Sequence, residues 1–270
     1  METSDPTHRP RKRFGQHFLH DQRVIERLIK VIHPRVGERL VEIGPGLGAL
    51  TYPLLTSVGE LDAVELDRDV VQHLAKYCAT AGKLTIHQGD VLRFDLATLN
   101  PEPQSLRVVG NLPYNISTPL MFHMLEQSQW VQDMHFMVQK EVAQRLVAEP
   151  NSEHYGRLSV MIQYRCEVHL LFIVGPDSFT PPPKVDSAVV RLIPMRQPTY
   201  PAADEKTFSA IVNQAFSARR KTLRNALRTQ LSAADIEALG IDPGTRSETL
   251  SVEEFVRLSD RAFQLNQTPN

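Results

Sequence analysis

The sequence predicts an α/β fold with a mostly parallel seven-stranded sheet, an antiparallel last strand and a small all-helical domain at the C-terminus. Between residues 39 and 193, short apolar runs alternate with longer segments that carry apolar residues at helical spacing. This alternation is typical of a parallel sheet covered by helices. Beyond a proline-containing linker, apolar residues recur only at helical intervals, and no further strand is predicted.

The individual elements follow from these patterns. Apolar runs of strand length predict strands at 39–43, 61–65, 84–88, 107–110, 134–138, 168–174 and 187–193. Helices are predicted to begin near Asp21, Leu47, Arg68, Thr118, Glu141 and Arg157. The stretch from Pro176 to Pro183 joins the last two strands and is too short and too rich in proline for a helical crossover. The final strand pair is therefore expected to be antiparallel.

The domain boundaries are predicted from the linker and from the ends of the periodic patterns. Pro198 and Pro201 mark the linker, and the polar ends of the chain carry no helical or strand pattern. The prediction is a disordered tail at 1–8, a large α/β domain at 9–195, a linker at 196–203 and a helical domain at 204–265.

The composition is that of a globular protein, with 41% apolar and 23% charged residues. No apolar stretch reaches the roughly 20 residues that span a bilayer, and the polar N-terminus does not look like a signal segment. The two cysteines, Cys78 and Cys166, lack the spacing of a metal site. We therefore expect a cytoplasmic protein with reduced thiols and no structural zinc.

The formal net charge is only −1, but the basic residues are clustered. Each cluster alone could be a solvated helix face. Together they favour contact with a nucleic acid, because phosphate backbones attract grouped cations. The first cluster comprises Arg9, Arg11, Lys12 and Arg13, and the second comprises Arg219, Arg220, Lys221, Arg224 and Arg228.

A glycine-rich turn gives the first chemical signal. The segment from Glu42 to Gly48 follows a predicted strand and precedes a helix, and glycine lets the backbone approach a nucleotide closely. Glu65 ends the next strand, in the place of an acidic residue that binds ribose hydroxyls. A nucleotide-containing cofactor is predicted, and an NAD enzyme is one possibility because Gly44 and Gly46 also fit the dinucleotide pattern.

Three features favour another class of nucleotide-binding enzyme. Glu42 precedes the first glycine by two residues, Asp90 follows the strand at 84–88, and Asn111-Leu112-Pro113-Tyr114 follows the strand at 107–110. Together they resemble the Rossmann-like class I S-adenosylmethionine-dependent methyltransferases. This resemblance implies that Glu65 binds the ribose of S-adenosylmethionine and that Asp90 faces its adenine amino group. A turn cap is the alternative for Asp90.

The four residues from Asn111 to Tyr114 also resemble the (Asn/Asp/Ser)-Pro-Pro-Tyr motif of enzymes that methylate exocyclic amino groups. The resemblance implies that the Asn111 side-chain oxygen and the Leu112 carbonyl accept the hydrogens of the target amine. Pro113 would fix the backbone, and Tyr114 would stack on an extruded base. The alternative is a polar turn with a core tyrosine.

Longer motifs narrow the resemblance to one family. Over about residues 9–260 the chain resembles the ribosomal RNA adenine dimethyltransferases, and the motifs that carry the match are 14–19, 111–119, 139–141, 179–187 and 216–225. The family implies S-adenosylmethionine as cofactor and no metal. Its cofactor contacts would be His17, Leu19, Gly44, Glu65, Asp90 and Asn111, and its catalytic residues Asn111, Leu112, Pro113, Tyr114 and Phe179. Phe179 would form a second stacking face opposite Tyr114, with a core phenylalanine as the alternative. His17 departs from the asparagine that is frequent in relatives.

The resemblance also implies a substrate. It is a pair of adjacent adenosines in the 3′-end hairpin of 16S ribosomal RNA in the immature small subunit, with the basic clusters on the phosphates. Three alternatives stay open: a large-subunit (23S) RNA dimethylase of the antibiotic-resistance type, an assembly checkpoint factor with secondary methylation, and a DNA adenine methyltransferase.

Overall fold

The computed structural model describes residues 17–217 and 221–267. These residues form two units. We call the first the sheet unit; it comprises the described residues up to Ala143 together with His169–Pro194. The second, the helical unit, comprises Gln144–Val168 and the described residues from Met195 onward. The predicted tail at 1–8 lies outside the described residues.

The helical unit has a different extent from the domain predicted at 204–265. It includes residues 144–168, which the sequence pattern placed in the large α/β domain. The reason is that Tyr155, Val160 and Tyr164 are buried in one apolar core with Phe208 and Phe255. The chain thus enters this unit twice.

The secondary structure is as follows. The strands are β1 (Phe18–Leu19), β2 (Arg39–Ile43), β3 (Glu60–Glu65), β4 (Lys83–Gln88), β5 (Leu106–Asn111), β6 (Val131–Gln139), β7 (Cys166–Val174), β8 (Phe179–Thr180) and β9 (Ser187–Pro194). The α-helices are α1 (Gln22–Ile32), α2 (Thr51–Val58), α3 (Arg68–Tyr77), α4 (Ser117–Glu126), α5 (Lys140–Val147), α6 (Arg157–Gln163), α7 (Glu205–Ala215), α8 (Leu223–Ala226), α9 (Ala233–Ala238) and α10 (Val252–Gln267).

The main sheet has seven strands in the order β4-β3-β2-β5-β6-β9-β7. Strands β2 to β6 pair in parallel, and the last strand in sequence, β9, runs antiparallel to β6. The seven predicted strands and the antiparallel last strand are therefore confirmed. The prediction for α2 was wrong by four residues: the helix begins at Thr51 because Gly46 and Gly48 have positive φ angles, which a right-handed helix excludes.

The centre of the sheet is formed by β2 and β5, whose residues are buried on both faces. Leu40, Val41, Val108 and Val109 are fully buried, as expected for parallel strands covered by helices. Gly110 lets the two strands meet, since a Cβ there would lie 2.5 Å from the Ile43 carbonyl oxygen. This contact sets the carboxyl ends of β2 and β5 side by side.

Two short strands form a separate ribbon that the sequence does not predict. In this β1–β8 ribbon, Phe18 pairs with Thr180 and Leu19 pairs with Phe179. The backbone N–H of His20 extends the ribbon by donating to the Ser178 carbonyl at 3.0 Å. Leu19 and Phe179 are both buried in the core of the sheet unit, which holds the ribbon in place.

A buried ionic cluster links strands β5, β6 and β9 to the segment before β2. Arg107 donates to both carboxylate oxygens of Asp133, at 2.9 and 3.1 Å, and to Glu38 at 2.7 Å. Its remaining contact is a 2.7 Å donation to the Ile32 carbonyl. Arg191 donates to the same Asp133 from the more exposed side, at 3.1 Å. Because every charge has a partner of opposite sign, the cluster can stay ionised inside the fold.

Because His135 is buried, we expect the free energy of unfolding to depend measurably on pH. His135 is 2% exposed, and neither ring nitrogen has a hydrogen-bond partner among the described residues. Burial lowers the pKa of His135 to about 4, against a pull in the other direction from Asp133. The unfolded chain therefore binds more protons between about pH 6.5 and pH 4, so the free energy of unfolding falls as pH falls through that range. The contribution lost is on the order of 3 kcal/mol.

This expectation is tested by chemical denaturation at pH 7.5 and at pH 5 for the wild type and for His135→Leu. The leucine variant lacks the titrating group, so its stability should fall less between the two pH values than that of the wild type. An identical pH dependence in both proteins would contradict the assignment to His135.

The helical unit has its own apolar core and an exposed basic edge. The rings of Tyr164 and Phe208 stack with centroids 4.2 Å apart, which joins α6 to α7 within the unit.

Around α8, three cations are exposed and have no ion-pair partner among the described residues; these are Lys221, Arg224 and Arg228. Arg219 and Arg220 lie outside the described residues, as do Arg9, Arg11, Lys12 and Arg13.

Candidate active site

One cavity of the sheet unit lies where strands β2, β3, β4 and β5 end. Open α/β sheets bind ligands at the carboxyl ends of their strands, so this position is the expected one. Nine of the ten residues predicted for the site line it: His17, Leu19, Gly44, Glu65, Asp90, Asn111, Leu112, Pro113 and Tyr114. The remaining predicted residue, Phe179, does not.

The glycine-rich turn lies directly against the motif that follows β5. Gly44 has a φ of +62°, and a Cβ at that position would come within 3.9 Å of the Asn111 carbonyl oxygen and of Pro113 Cδ. Gly46 has a φ of +55°, and its Cβ would lie 3.1 Å from the Phe18 ring. Side chains at these two positions would therefore be strained and would narrow the cavity.

The acidic side chains after β3 and β4 are held by the backbone next to them. The Glu65 carboxylate accepts the Asp67 N–H at 2.7 Å, and burial raises the pKa of Glu65. Asp90 accepts the Leu92 N–H at 3.0 Å, so it does cap a turn. Since Asp90 is also exposed to the cavity, capping and ligand binding are compatible.

Glu42 is a lining residue that the predicted set of site residues omits. It is 2% exposed, and its Oε2 has no hydrogen-bond partner among the described residues. Burial raises the pKa of Glu42 to about 8. A buried carboxyl with an open acceptor beside a cavity fits a ligand that brings a hydrogen-bond donor or a cation. The sequence signal that could have identified Glu42 as a lining residue is its position two residues before the first glycine of the turn.

Two hydrogen-bond acceptors stand at the end of β5. The Asn111 side-chain nitrogen donates to the His17 carbonyl at 3.0 Å, which assigns the other end of the amide, Oδ1, as an acceptor with no partner among the described residues. The Leu112 N–H donates to the Met137 carbonyl at 3.0 Å. Within the described chain no donor reaches the Leu112 carbonyl. These are the two oxygens that the motif implies.

Tyr114 is held at both its hydroxyl and its ring. The hydroxyl shares a 2.7 Å hydrogen bond with Ser187 Oγ, and burial raises the pKa of Tyr114. The ring stacks on His17, with centroids 5.3 Å apart and planes inclined by 29°. His17 itself is fixed by a 2.7 Å hydrogen bond from Nδ1 to the Pro181 carbonyl. Tyr114 therefore lines the cavity with both its hydroxyl and its ring held by neighbouring residues.

Phe179 does not occupy the position that the sequence implied. Its side chain is 2% exposed and packs in the core of the sheet unit, where β8 pairs with β1. The ring that stacks on Tyr114 belongs to His17. The physical reason is that side chains alternate between the two faces of a strand, and the side chain of Phe179 lies on the face toward the core. The structure therefore gives no support to a base-stacking role for Phe179.

The described residues contain no cluster of metal-ligand side chains, and the two thiols are buried. No group of three or more His, Cys, Asp or Glu side chains suited to a metal ion occurs among the described residues. Cys78 and Cys166 are buried, and burial raises the pKa of Cys78 to about 11 and that of Cys166 to about 12. Both thiols are therefore weak nucleophiles at neutral pH. In the same part of the chain, no helix has the length and apolar character needed to cross a membrane.

The chain is similar in sequence to one protein family and to its members. The sequence model of the family described as "Ribosomal RNA adenine dimethylase" matches residues 7–264. A "Ribosomal RNA small subunit methyltransferase A" from Nitrosococcus oceani is 57% identical over 252 residues, which cover 93% of this chain and 96% of the relative.

Two solved structures have the same fold over most of the chain. The crystal structure of a dimethyladenosine transferase from Plasmodium falciparum matches with a TM-score of 0.77 and 25% identity, covering 90% of this chain and 96% of that one. The crystal structure of the 23S rRNA methyltransferase ErmE matches with a TM-score of 0.71 and 25% identity, covering 92% and 100%.

Proposed function

Because the chain belongs to the ribosomal RNA adenine dimethylase family, we propose that it dimethylates the N6 amino groups of two adjacent adenosines in the 3′-end hairpin of 16S ribosomal RNA. The methyl donor is S-adenosylmethionine, the substrate is the immature small subunit, and the compartment is the cytoplasm. The observation that carries the proposal is the pair of open acceptors, Asn111 Oδ1 and the Leu112 carbonyl, at a cavity where strands β2 to β5 end.

The residues of the cavity fit the proposed cofactor. Glu65 offers a carboxylate to ribose hydroxyls, and Asp90 offers one to an adenine amino group. The open oxygen of buried Glu42 suits the donor-rich amino acid end, and Gly44 leaves room for close approach. Leu19 adds an apolar wall. When bound, S-adenosylmethionine supplies an electrophilic methyl group, and transfer forms an N–C bond as the sulfonium S–C bond breaks.

The protein's own task is to prepare the amine. Adenine N6 is a poor nucleophile because its lone pair is delocalised into the ring. Acceptance of its two hydrogens by Asn111 Oδ1 and the Leu112 carbonyl localises the lone pair on nitrogen, and Tyr114 offers a ring for the extruded base. Positioning and exclusion of water then supply the acceleration, and the proton passes to water after transfer. No buried general base is required.

The exposed cations of the helical unit fit an RNA backbone. Neutralising Lys221, Arg224 and Arg228 to glutamine should weaken RNA binding and lower the slope of log affinity against log salt by about 2, since each phosphate contact contributes roughly 0.7. Filter binding to the hairpin RNA at several salt concentrations measures the slope. Arg9, Arg11, Lys12, Arg13, Arg219 and Arg220 are proposed as further contacts.

The matched control neutralises three exposed lysines of the sheet unit, Lys30, Lys76 and Lys83. It changes the net charge equally and should leave the slope near that of the wild type. An equal drop in both triple variants would mean that total charge, not the surface around α8, governs binding.

The proposed substrate is tested by transfer of labelled methyl groups from S-adenosylmethionine to three polymers. These are small subunits from cells that lack this methylation, large-subunit RNA, and duplex DNA. We expect transfer to the small subunit alone. Transfer to large-subunit RNA or to DNA instead would retain the cofactor assignment and reject the substrate.

A further inference from the structure

We propose that Ser187 is a positioning residue for the target adenine, and that it acts by holding the Tyr114 ring in one orientation through its hydroxyl. This inference rests on the proposed function, in which the ring of Tyr114 meets the extruded base. Ser187 is not one of the residues that line the cavity, so its effect on the reaction passes through Tyr114.

The contact joins a half-buried ring to a fully buried hydroxyl. Tyr114 Oη and Ser187 Oγ are 2.7 Å apart and share a hydrogen bond. Ser187 is 0% exposed, whereas Tyr114 is half-buried and lines the cavity. Among the described residues, Ser187 Oγ has no other hydrogen-bond partner. Because water does not reach it, this hydroxyl depends on the tyrosine, and the bond is one that the fold must keep.

The sheet topology explains why the first residue of a strand reaches this site. Ser187 begins β9 and pairs with Gln139, the last residue of β6. Since β9 runs antiparallel to β6, its first residue lies at the edge where the parallel strands end. Strand β6 is also the neighbour of β5, so this edge includes the start of the motif that contains Tyr114.

The start of β9 is itself held by the residue that follows β6. The Lys140 N–H donates to the Asp186 carbonyl at 3.0 Å, and Lys140 Nζ donates to the Asp186 carboxylate at 3.1 Å. The two side chains are 42% and 40% exposed, so the ion pair adds little, and the backbone bonds do most of the holding. Ser187 therefore stands on a strand within the sheet, which positions a side chain more precisely than a loop does.

The bond restrains the part of Tyr114 that its backbone leaves free. The Tyr114 carbonyl accepts the Ser117 hydroxyl at 3.2 Å, which fixes the main chain but not the two side-chain torsions. A hydrogen bond at the far end of the side chain restrains both torsions together. The ring is then oriented before a base arrives, and the amine is presented to Asn111 Oδ1 and the Leu112 carbonyl with less ordering still to be done.

The test is a double-mutant cycle on the full chain with Ser187→Ala, Tyr114→Phe and the double variant. Tyr114→Phe keeps the ring and removes only the hydroxyl. The control is Ser259→Ala, a serine that is equally buried but donates to the Val256 carbonyl within α10. Three quantities are measured: the single-turnover rate at saturating small subunits and S-adenosylmethionine, the Kd for S-adenosylmethionine, and the urea midpoint.

We expect Ser187→Ala to lower the single-turnover rate by roughly 3- to 10-fold, the effect of losing one neutral hydrogen bond. Tyr114→Phe should lose about as much, and Ser187→Ala should change the rate of Tyr114→Phe by less than about 2-fold, since no hydroxyl is left to hold. The Kd for S-adenosylmethionine should stay within about 2-fold in all variants, which separates positioning from cofactor binding. Ser259→Ala should match the wild-type rate.

Three results would overturn the inference. Equal losses from Ser187→Ala in the tyrosine and the phenylalanine backgrounds would mean that the serine acts through β9 and not through the hydroxyl of Tyr114. A rise in the Kd for S-adenosylmethionine that accounts for the lost rate would place the effect on the cofactor. A wild-type rate in Tyr114→Phe would show that the bond is dispensable, even if Ser187→Ala does not fold.

The failure of the proposed function has a different signature. If the wild type methylates large-subunit RNA or DNA and not small subunits, the proposed substrate is rejected. The same cycle measured on the polymer that is methylated then still decides whether Ser187 acts through Tyr114.

Discussion

Replacing Asn111 with alanine is expected to reduce methyl transfer to small subunits by about 10³-fold, while the protein stays folded and still binds RNA. The variant removes Oδ1, the open acceptor at the end of β5, and the donor that contacts the His17 carbonyl. Loss of one oriented polar group at a reacting centre typically costs 10²- to 10³-fold in kcat. Here the variant also loses the hydrogen bond to the His17 carbonyl, so the first residue of the motif is no longer held in its position.

The measurement is single-turnover transfer at saturating cofactor, so that any loss of cofactor affinity is separated from the rate. Asn111→Asp keeps an acceptor oxygen but lacks the N–H that contacts His17, and it should retain more activity than alanine. Asn213→Ala, an exposed change on α7, should behave as the wild type. Retention of more than a tenth of the wild-type rate by Asn111→Ala would show that the acceptor is not essential.

Replacing Arg107 with methionine is expected to lower the free energy of unfolding by about 3–5 kcal/mol, since removal of one partner leaves a buried charge uncompensated. Arg107 has a 7% exposed side chain and neutralises Asp133, whose side chain is 2% exposed. It also holds Glu38 at 2.7 Å, beside the start of β2. Urea unfolding at pH 7 measures the change.

Arg191 provides a matched control because it contacts the same carboxylate from a more exposed position. Its side chain is 41% exposed, and solvent screens such pairs, so Arg191→Met should cost at most about 1 kcal/mol. Equal destabilisation by the two variants would contradict the view that burial of Arg107 sets the energy of the cluster.

Most of the sheet unit was predictable from the sequence because its strands are buried and its turns carry strong signals. Parallel strands covered by helices are continuous apolar runs, so all seven were found, with ends shifted by at most a few residues. The sequence also predicted an antiparallel last strand, and β9 runs antiparallel to β6. The residues after β2, β3, β4 and β5 meet at one cavity because the ends of parallel strands share one edge.

What the sequence did not predict depends on contacts between distant segments. Strands of two residues, such as β1 and β8, have no periodicity, so neither the ribbon nor the burial of Phe179 could be foreseen. The hydrogen bond between His17 and Pro181 joins residues 164 positions apart. Residues 144–168 have ordinary helix and strand patterns, and only packing of their side chains around Phe208 places them in the helical unit.

In the proposed function, one cavity brings a methyl donor to adenine N6 of the small-subunit RNA. Mass spectrometry of small-subunit RNA from cells lacking this methylation, after incubation with the protein and S-adenosylmethionine, tests this directly. We expect N6,N6-dimethyladenosine at two adjacent positions of the 3′-end hairpin, and almost entirely unmodified adenosine there after the same incubation with Asn111→Ala. Methylation on a ring nitrogen, on guanosine, or at a single isolated adenosine elsewhere would contradict it.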